Sequence, residues 1–182
     1  MGAAEEPGFS GAALSVWAKT NAQDGDWMRL TRHLLDSSAV GEMLWDHWLP
    51  DNLRRLLSEQ FPDPGDARIA LGFLAGIHDI GKASPGFAVK ARLAPGFGDL
   101  VDRMADHGLI CPAYQPGGFT KLPPHCRLGQ HLATEWLIER YEFSRPDAIA
   151  FTIPVGMHHG VPPTSHELQD LQRDPIWVGS PA

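Results

Sequence analysis

Cysteine is nearly absent: Cys111 and Cys126 are the only two in 182 residues. Two cysteines make neither a disulfide framework nor a four-cysteine zinc site, and they suit a reducing compartment, so a cytoplasmic location is expected. Long hydrophobic runs are missing too. None approaches the roughly 20 residues that span a bilayer, so no membrane segment is expected. The opening MGAAEEPGFSG is acidic where a signal peptide is basic, and it has no apolar stretch. Glu6 stands where N-myristoylation needs Ser or Thr. Positive charge is scarce: 15 Lys and Arg against 22 Asp and Glu give a net charge of −7. Bulk electrostatics therefore oppose non-specific binding to nucleic acid. Contact with phosphate would need a local positive site, which bound metal ions can supply. Internal repeats, low-complexity tracts and an alternating strand pattern of useful length are all lacking.

What is present is 43% hydrophobic residues, enough for one sizeable core, together with nine histidines, 19 glycines and 16 prolines. The expectation is a single all-α domain over residues 1–182, a helical bundle with long loop insertions. After a loop ending near Ser15, the pattern is helical from Trp27 to about Leu57. Pro50 and Asp51 mark a break before Asn52–Glu59. Leu30, Ser37, Val40, Leu44 and Trp48 fall within about 60° of His33 on the helical wheel, so His33 lies on the face expected to be buried. Ala67–Ile80 reads as a helix apolar on nearly every side, which belongs in the middle of a domain. Its Gly72, Ala75 and Gly76 permit close approach of a neighbour, and Gly81 is placed to end it. Residues 83–124 read as a long irregular insert with one short helix near Leu100–His107. A strong helix follows over His125–Tyr141. Ser144 with Asp147 forms an N-terminal cap for another, which runs to about Met157 and is open to disturbance at Pro154.

The histidines carry the chemistry. His78-Asp79 terminates a helix expected to be buried, where an unpaired carboxylate would cost several kcal/mol. Either Lys82, three residues on, or a metal ion compensates it. His158-His159-Gly160 either presents two hydrogen-bonded neutral rings or offers two imidazoles to one ion. His33 and His125 are single histidines on apolar helix faces, and such residues are more often satisfied core groups. Taken together, five imidazoles and a carboxylate converging on one core are hard to explain by packing, and a polynuclear metal site explains them. His131 lies about 240° from His125 on its helix and reads as surface. His47, His107 and His166 lie in polar or loop surroundings. Gly76-Ile-His-Asp-Ile-Gly81-Lys82 has the spacing of a phosphate-binding loop. It lacks the following Ser or Thr and the preceding strand, and Asp79 would repel phosphate, so that reading is rejected.

The order His33, His78-Asp79, His125, His158-His159 resembles the HD phosphohydrolase superfamily. LWDHWL, FLAGIHDIGKASPGF, HCRLGQHLATEWL and GMHHGVPP, with SVWAKT near the start, are more closely similar to the HD nuclease domain of the type I CRISPR nuclease–helicases, over about Leu14 to Pro163. The resemblance implies that His33, His78, Asp79, His125, His158 and His159 are metal ligands, with Asp79 bridging. It places Lys82 beside the scissile phosphate, and Asp79 and Lys82 are the catalytic candidates. The choice of His125 over His131 rests on the wheel. The implied cofactors are two divalent transition-metal ions (manganese, iron, cobalt or nickel, with magnesium possible). The implied substrate is single-stranded DNA, cleaved endonucleolytically in antiviral defence, and the implied partners are a helicase module and the guide-RNA surveillance complex. The family's site also has a later Asp, and Asp170 and Asp174 come too early for it. The chain is therefore expected to lack the family's C-terminal part and its helicase. Two other readings stand beside this one: a phosphohydrolase acting on nucleotides, and an inactive docking module whose contacts lie at residues 83–124 and after Pro163.

Overall fold

The computed structural model describes residues 8–109 and 123–173. A short helix, α1 (Gly11–Ser15), is followed by an antiparallel hairpin, β1 (Trp17–Asn21) and β2 (Asp26–Arg29). The all-α expectation holds, with this hairpin as a small addition among the described residues. The hairpin is too short to show a clear alternation, and an irregularity between Trp17 and Lys19 breaks what period there is. Its tip is held by the Asn21 side-chain amide donating to Asp24 at 2.6 Å and by Gly25 at φ +75°, the left-handed conformation that glycine adopts without strain.

The first long helix is α2 (Leu30–His47), so residues 27–29 pair in the hairpin instead of opening the helix. Pro50 caps α3 (Asp51–Ser58), as its fixed φ allows. Then comes α4 (Asp66–Ile77), packed along α2. The small residues do what their size suggests. A Cβ on Gly41 would lie 2.7 Å from that of Ala75, and one on Gly76 would lie 3.2 Å from that of Ser38. The central position expected for the second helix is corrected: only Ala67 and Gly72 of α4 are buried, and Ile69 is 64% exposed. The apolar stripe of α2 is corrected likewise. Leu30 is buried, whereas Val40, Leu44 and Trp48 face solvent.

Residues 83–109 are not an irregular insert. They form a 3-10 turn at Ile80–Ala83, α5 (Pro85–Ala88), a second 3-10 segment at Val89–Leu93 and α6 (Asp99–Asp106). They also supply most of the main hydrophobic cluster: Phe87, Ala88, Ala91, Phe97, Leu100, Val101 and Met104 pack against Trp17 and Leu30. Helix α7 (His125–Tyr141) pairs with α8 (Arg145–Met157) through Leu128, Ala133, Leu137 and Val155 and a buried Thr134–Thr152 hydrogen bond of 2.7 Å. Ser144 caps α8 as expected, accepting from the Asp147 amide, and the helix continues through Pro154. The last described helix is α9 (Ser165–Arg173). Cys111, Asp174 and the part of the expected loop from 110 to 122 lie outside the described residues. No helix among the described residues is long and apolar enough to cross a membrane.

Candidate metal centre

Four structural elements end or begin at one point, and Asp79 is that point. Helix α4 stops at Ile77, His78 caps it, and Asp79 takes φ −103° and ψ 12°, in the sparsely populated bridge region. The side chain is 6% exposed. Its Oδ2 lies 2.7 Å from His33 Nε2, 3.2 Å from His78 Nε2 and 2.8 Å from Lys82 Nζ. Its Oδ1 lies 2.9 Å from His125 Nε2 and 3.5 Å from His158 Nε2. His159 joins from the side, with its Nε2 3.1 Å from that of His125.

The backbone explains the convergence. His33 sits in the first turn of α2, beside the end of α4, because glycines bring the two helices together. His125 opens α7, which presses on the 3-10 turn. A Cβ on Gly81 would fall 1.9 Å from the His125 carbonyl oxygen and 2.5 Å from the Gly129 nitrogen, so only glycine permits this approach. His158 and His159 follow directly on α8, whose pairing with α7 carries them to the same place.

Burial by itself would raise the Asp79 pKa. The imidazoles of His125, His158 and His78 and the Lys82 ammonium outweigh it and hold the carboxyl far below the usual range. His33 is lowered, chiefly by burial, against its hydrogen bond to Asp79. His158 is raised, chiefly by Asp79.

The donor set fits metal ions. His78 Nδ1 lies 2.8 Å from the Ala75 carbonyl oxygen, and His158 Nδ1 lies 2.7 Å from that of Val155. A carbonyl oxygen only accepts, so each Nδ1 carries the hydrogen, and Nε2 is the ring atom turned inward, placed to ligate an ion. Both Nε2 atoms lie beside the Asp79 carboxylate, so imidazole and carboxylate donors face one space. His158 Nε2 and Asp79 Oδ1 are both buried and lack a hydrogen-bond partner among the described residues. Two groups of potential ligands result: His33, His78 and Asp79, and His125, His158 and His159. The donor atoms within each lie inside 4.8 Å of one another. All six residues singled out from the sequence, and Lys82, are therefore brought together.

His131 is not in the cluster, as expected, but it is not a surface residue either. Its side chain is 11% exposed, and burial lowers its pKa. Asp170 lies on α9, 3.1 Å from His166. The sequence reading passed over Phe87, which is 7% exposed and meets His125 edge-on at 5.7 Å. Its signal was its place in ASPGF, five residues after Lys82. Lys90 went unnoticed too, since a lone lysine in a short segment has no periodicity to flag it.

Residues 17–179 match the family model described as the HD domain of Cas3. The CRISPR-associated nuclease/helicase Cas3 of Streptococcus thermophilus is 30% identical over 157 residues, which is 80% of this chain and 16% of the relative. The CRISPR-associated endonuclease/helicase Cas3 of Thermus thermophilus is 31% identical over 180 residues, covering 91% of this chain and 17% of the relative. A solved structure of a CRISPR-associated protein superposes with a TM-score of 0.80 at 30% identity, over 93% of this chain and 18% of that one. The chain thus spans less than a fifth of the relatives it matches.

Proposed function

The chain belongs to the Cas3 HD-domain family, and from that premise we propose that it is a metal-dependent endonuclease that cuts single-stranded DNA in CRISPR defence. The observation that carries this reading is the divided Asp79 carboxylate, with one oxygen toward His33 and His78 and the other toward His125 and His158. His33, His78 and Oδ2 would hold one divalent ion. His125, His158, His159 and Oδ1 would hold a second. Imidazole with a single carboxylate suits manganese, iron, cobalt or nickel better than magnesium, which prefers oxygen ligands. When bound, such ions lower the pKa of water toward about 7 and neutralise a phosphate.

The protein's own groups then have distinct tasks. His78 and His158 are held in one tautomer by the carbonyls of Ala75 and Val155, so their rings are set before substrate arrives. Asp79 ties the two halves of the site together. Lys82 is 10% exposed and paired to Asp79, which aims its side chain across the carboxylate. From there it donates to a non-bridging phosphate oxygen as negative charge builds. In a protein of net charge −7, this local cluster is what draws the phosphate in. The relatives are nuclease/helicases, so a helicase module is the proposed source of the strand and the guide-RNA surveillance complex the proposed partner that exposes it. The proposed location is the cytoplasm.

The test is nicking of circular single-stranded DNA with manganese, cobalt or nickel, beside a chelator arm and a nucleoside-triphosphate arm. Metal-dependent nicking is expected, with Asp79→Ala at background while still melting cooperatively. Asp79→Asn serves as a second variant that keeps the shape. Wild-type cleavage by either variant, or hydrolysis of the nucleotide alone, overturns the reading.

A further inference from the structure

Lys82 is not the only cation beside the site. Lys90, on the 3-10 segment after α5, holds its ammonium 5.0 Å from the centre of the Phe87 ring, and Lys82 lies 5.5 Å from the same ring. Phe87 in turn meets the His125 imidazole edge-on at 5.7 Å. Lys90 is thus one aromatic ring away from the His125 half of the cluster. Phe87 is fixed there: the Trp17 ring packs on it at 4.5 Å, and Trp17 Nε1 donates to the Ala88 carbonyl at 3.3 Å.

The two lysines differ in one respect. Lys82 is neutralised by Asp79 at 2.8 Å. No described carboxylate lies within 4 Å of Lys90 Nζ, whereas its neighbour Arg92 is paired with Asp102. Burial and the charge of Lys82 both push the Lys90 pKa down. A half-buried ammonium facing a like charge with no counter-ion is an unfavourable arrangement in the free protein, and an anion on that spot relieves it.

We infer that Lys90 is a substrate-positioning residue: its ammonium grips a backbone phosphate of the DNA next to the one being cut, on the His125 side. The strand therefore runs from the cluster across the Phe87 ring toward the 3-10 segment. This rests on the single-stranded DNA reading above. A lysine serves here because it meets phosphate as a point charge while its aliphatic stem covers the Phe87 ring. The grip carries no base information, so it is independent of sequence.

The experiment is the salt dependence of binding of a fluorescent oligothymidylate to the intact protein, read by anisotropy under chelator so that nothing is cut. Each phosphate contact on single-stranded DNA contributes about 0.7 to the slope of log K against log salt. Lys90→Met keeps the apolar stem on Phe87 and removes the charge. It is expected to lower the slope by about 0.7. Lys90→Arg is expected to keep the wild-type slope. Arg140→Met removes an equal charge at the far end of α7, about 22 Å from His125 by helix rise, and is expected to leave the slope unchanged. Equal slopes in wild type and Lys90→Met overturn the inference and leave the nuclease reading standing. An equal drop in Arg140→Met also overturns it, because net charge alone would then be acting. Absence of any salt-dependent binding by the wild type overturns the underlying reading itself.

Discussion

Asp79 keeps its charge in a place where burial alone would remove it, and that charge is held by its neighbours rather than by water. His131 shows the opposite outcome on the same helix as His125. It too is mostly buried, but its one close carboxylate, Glu135 at 3.8 Å, is itself paired to Arg145. Burial dominates, and the neutral ring is favoured in the folded state. The sign of the linkage follows. A histidine with a lowered folded pKa binds its proton more readily when unfolded, so stability falls as pH drops through the ordinary imidazole value of 6.5 toward the lower folded one. His131→Gln removes this contribution. Thermal unfolding followed from about pH 8 to about pH 5 is expected to fall less steeply in the variant than in the parent. Every other group is the same in both proteins, so the difference between the two curves isolates His131. Parallel curves would mean that its ring is not desolvated. The sequence could not have revealed this environment: the helical wheel placed His131 beside glutamates, and the wheel has no knowledge of α8 lying across that face.

At the scale of elements, the glycines set the site's dimensions. Gly81 and Gly72 offer a direct comparison. A Cβ on Gly72 would meet Glu42 Cγ at 2.8 Å, an atom on a half-exposed side chain that can swing away; one on Gly81 would meet backbone at 1.9 Å, which cannot. Gly81→Ala is therefore expected to cost about 2 kcal/mol or more. It must also push the start of α7 back, with His125 on it. A displacement of about 1 Å in a reacting group can cost on the order of a hundredfold in rate. Gly72→Ala is expected to stay within about 1 kcal/mol of the parent and to keep its activity. Calorimetry with a cleavage assay on both variants checks this, and a Gly81→Ala protein with the parent's rate would show that His125 is not held by that contact. The long helices were legible from their sustained pattern and marked ends, Pro50 before α3 and Ser144 before α8; Gly81, expected to end the helix running to Ile80, instead lies inside the 3-10 turn, four residues past the actual end of α4 at Ile77. The hairpin was not, since five and four residues with one irregularity hold too little pattern. Residues 83–109 were read as an insert because glycines and prolines break them into pieces too short for a period. Their pieces nonetheless bury Phe87, Phe97, Leu100 and Met104 against Trp17, a packing that only long-range contacts create. The six-residue cluster was legible for a different reason. His-Asp and His-His at helix ends, with a histidine on each of two further helices, have few bland explanations once they are counted together, and the resemblance then ordered them.

Across the whole molecule, the fold leaves an electrostatic debt at its centre that an ion would settle. Nε2 of His78 and of His158 face the Asp79 oxygens, and Asp79 Oδ1 and His158 Nε2 are buried without hydrogen-bond partners among the described residues. The ligands come from α2, the end of α4, the start of α7 and the end of α8, so an ion bound there ties together segments from residue 33 to residue 159. Because these residues are assembled only in the folded chain, the ion binds the native state and not the unfolded one, and it must raise stability by mass action. At a free concentration about a hundred times the dissociation constant the gain is about 2.7 kcal/mol per site. For a chain of this length, each kcal/mol moves the melting temperature by about 2–4 °C. Adding manganese, cobalt or nickel is therefore expected to raise the melting temperature of the chelator-treated protein by about 5–10 °C if a single site fills, and by about twice that if both do. Asp79→Asn should lose most of this shift while His131→Gln keeps it. His159→Ala discriminates further: His159 is exposed and belongs to only one of the two ligand groups, so its loss is expected to weaken one step of a calorimetric metal titration and leave the other. A titration in which both steps weaken together would show that the six residues hold one shared ion instead of two.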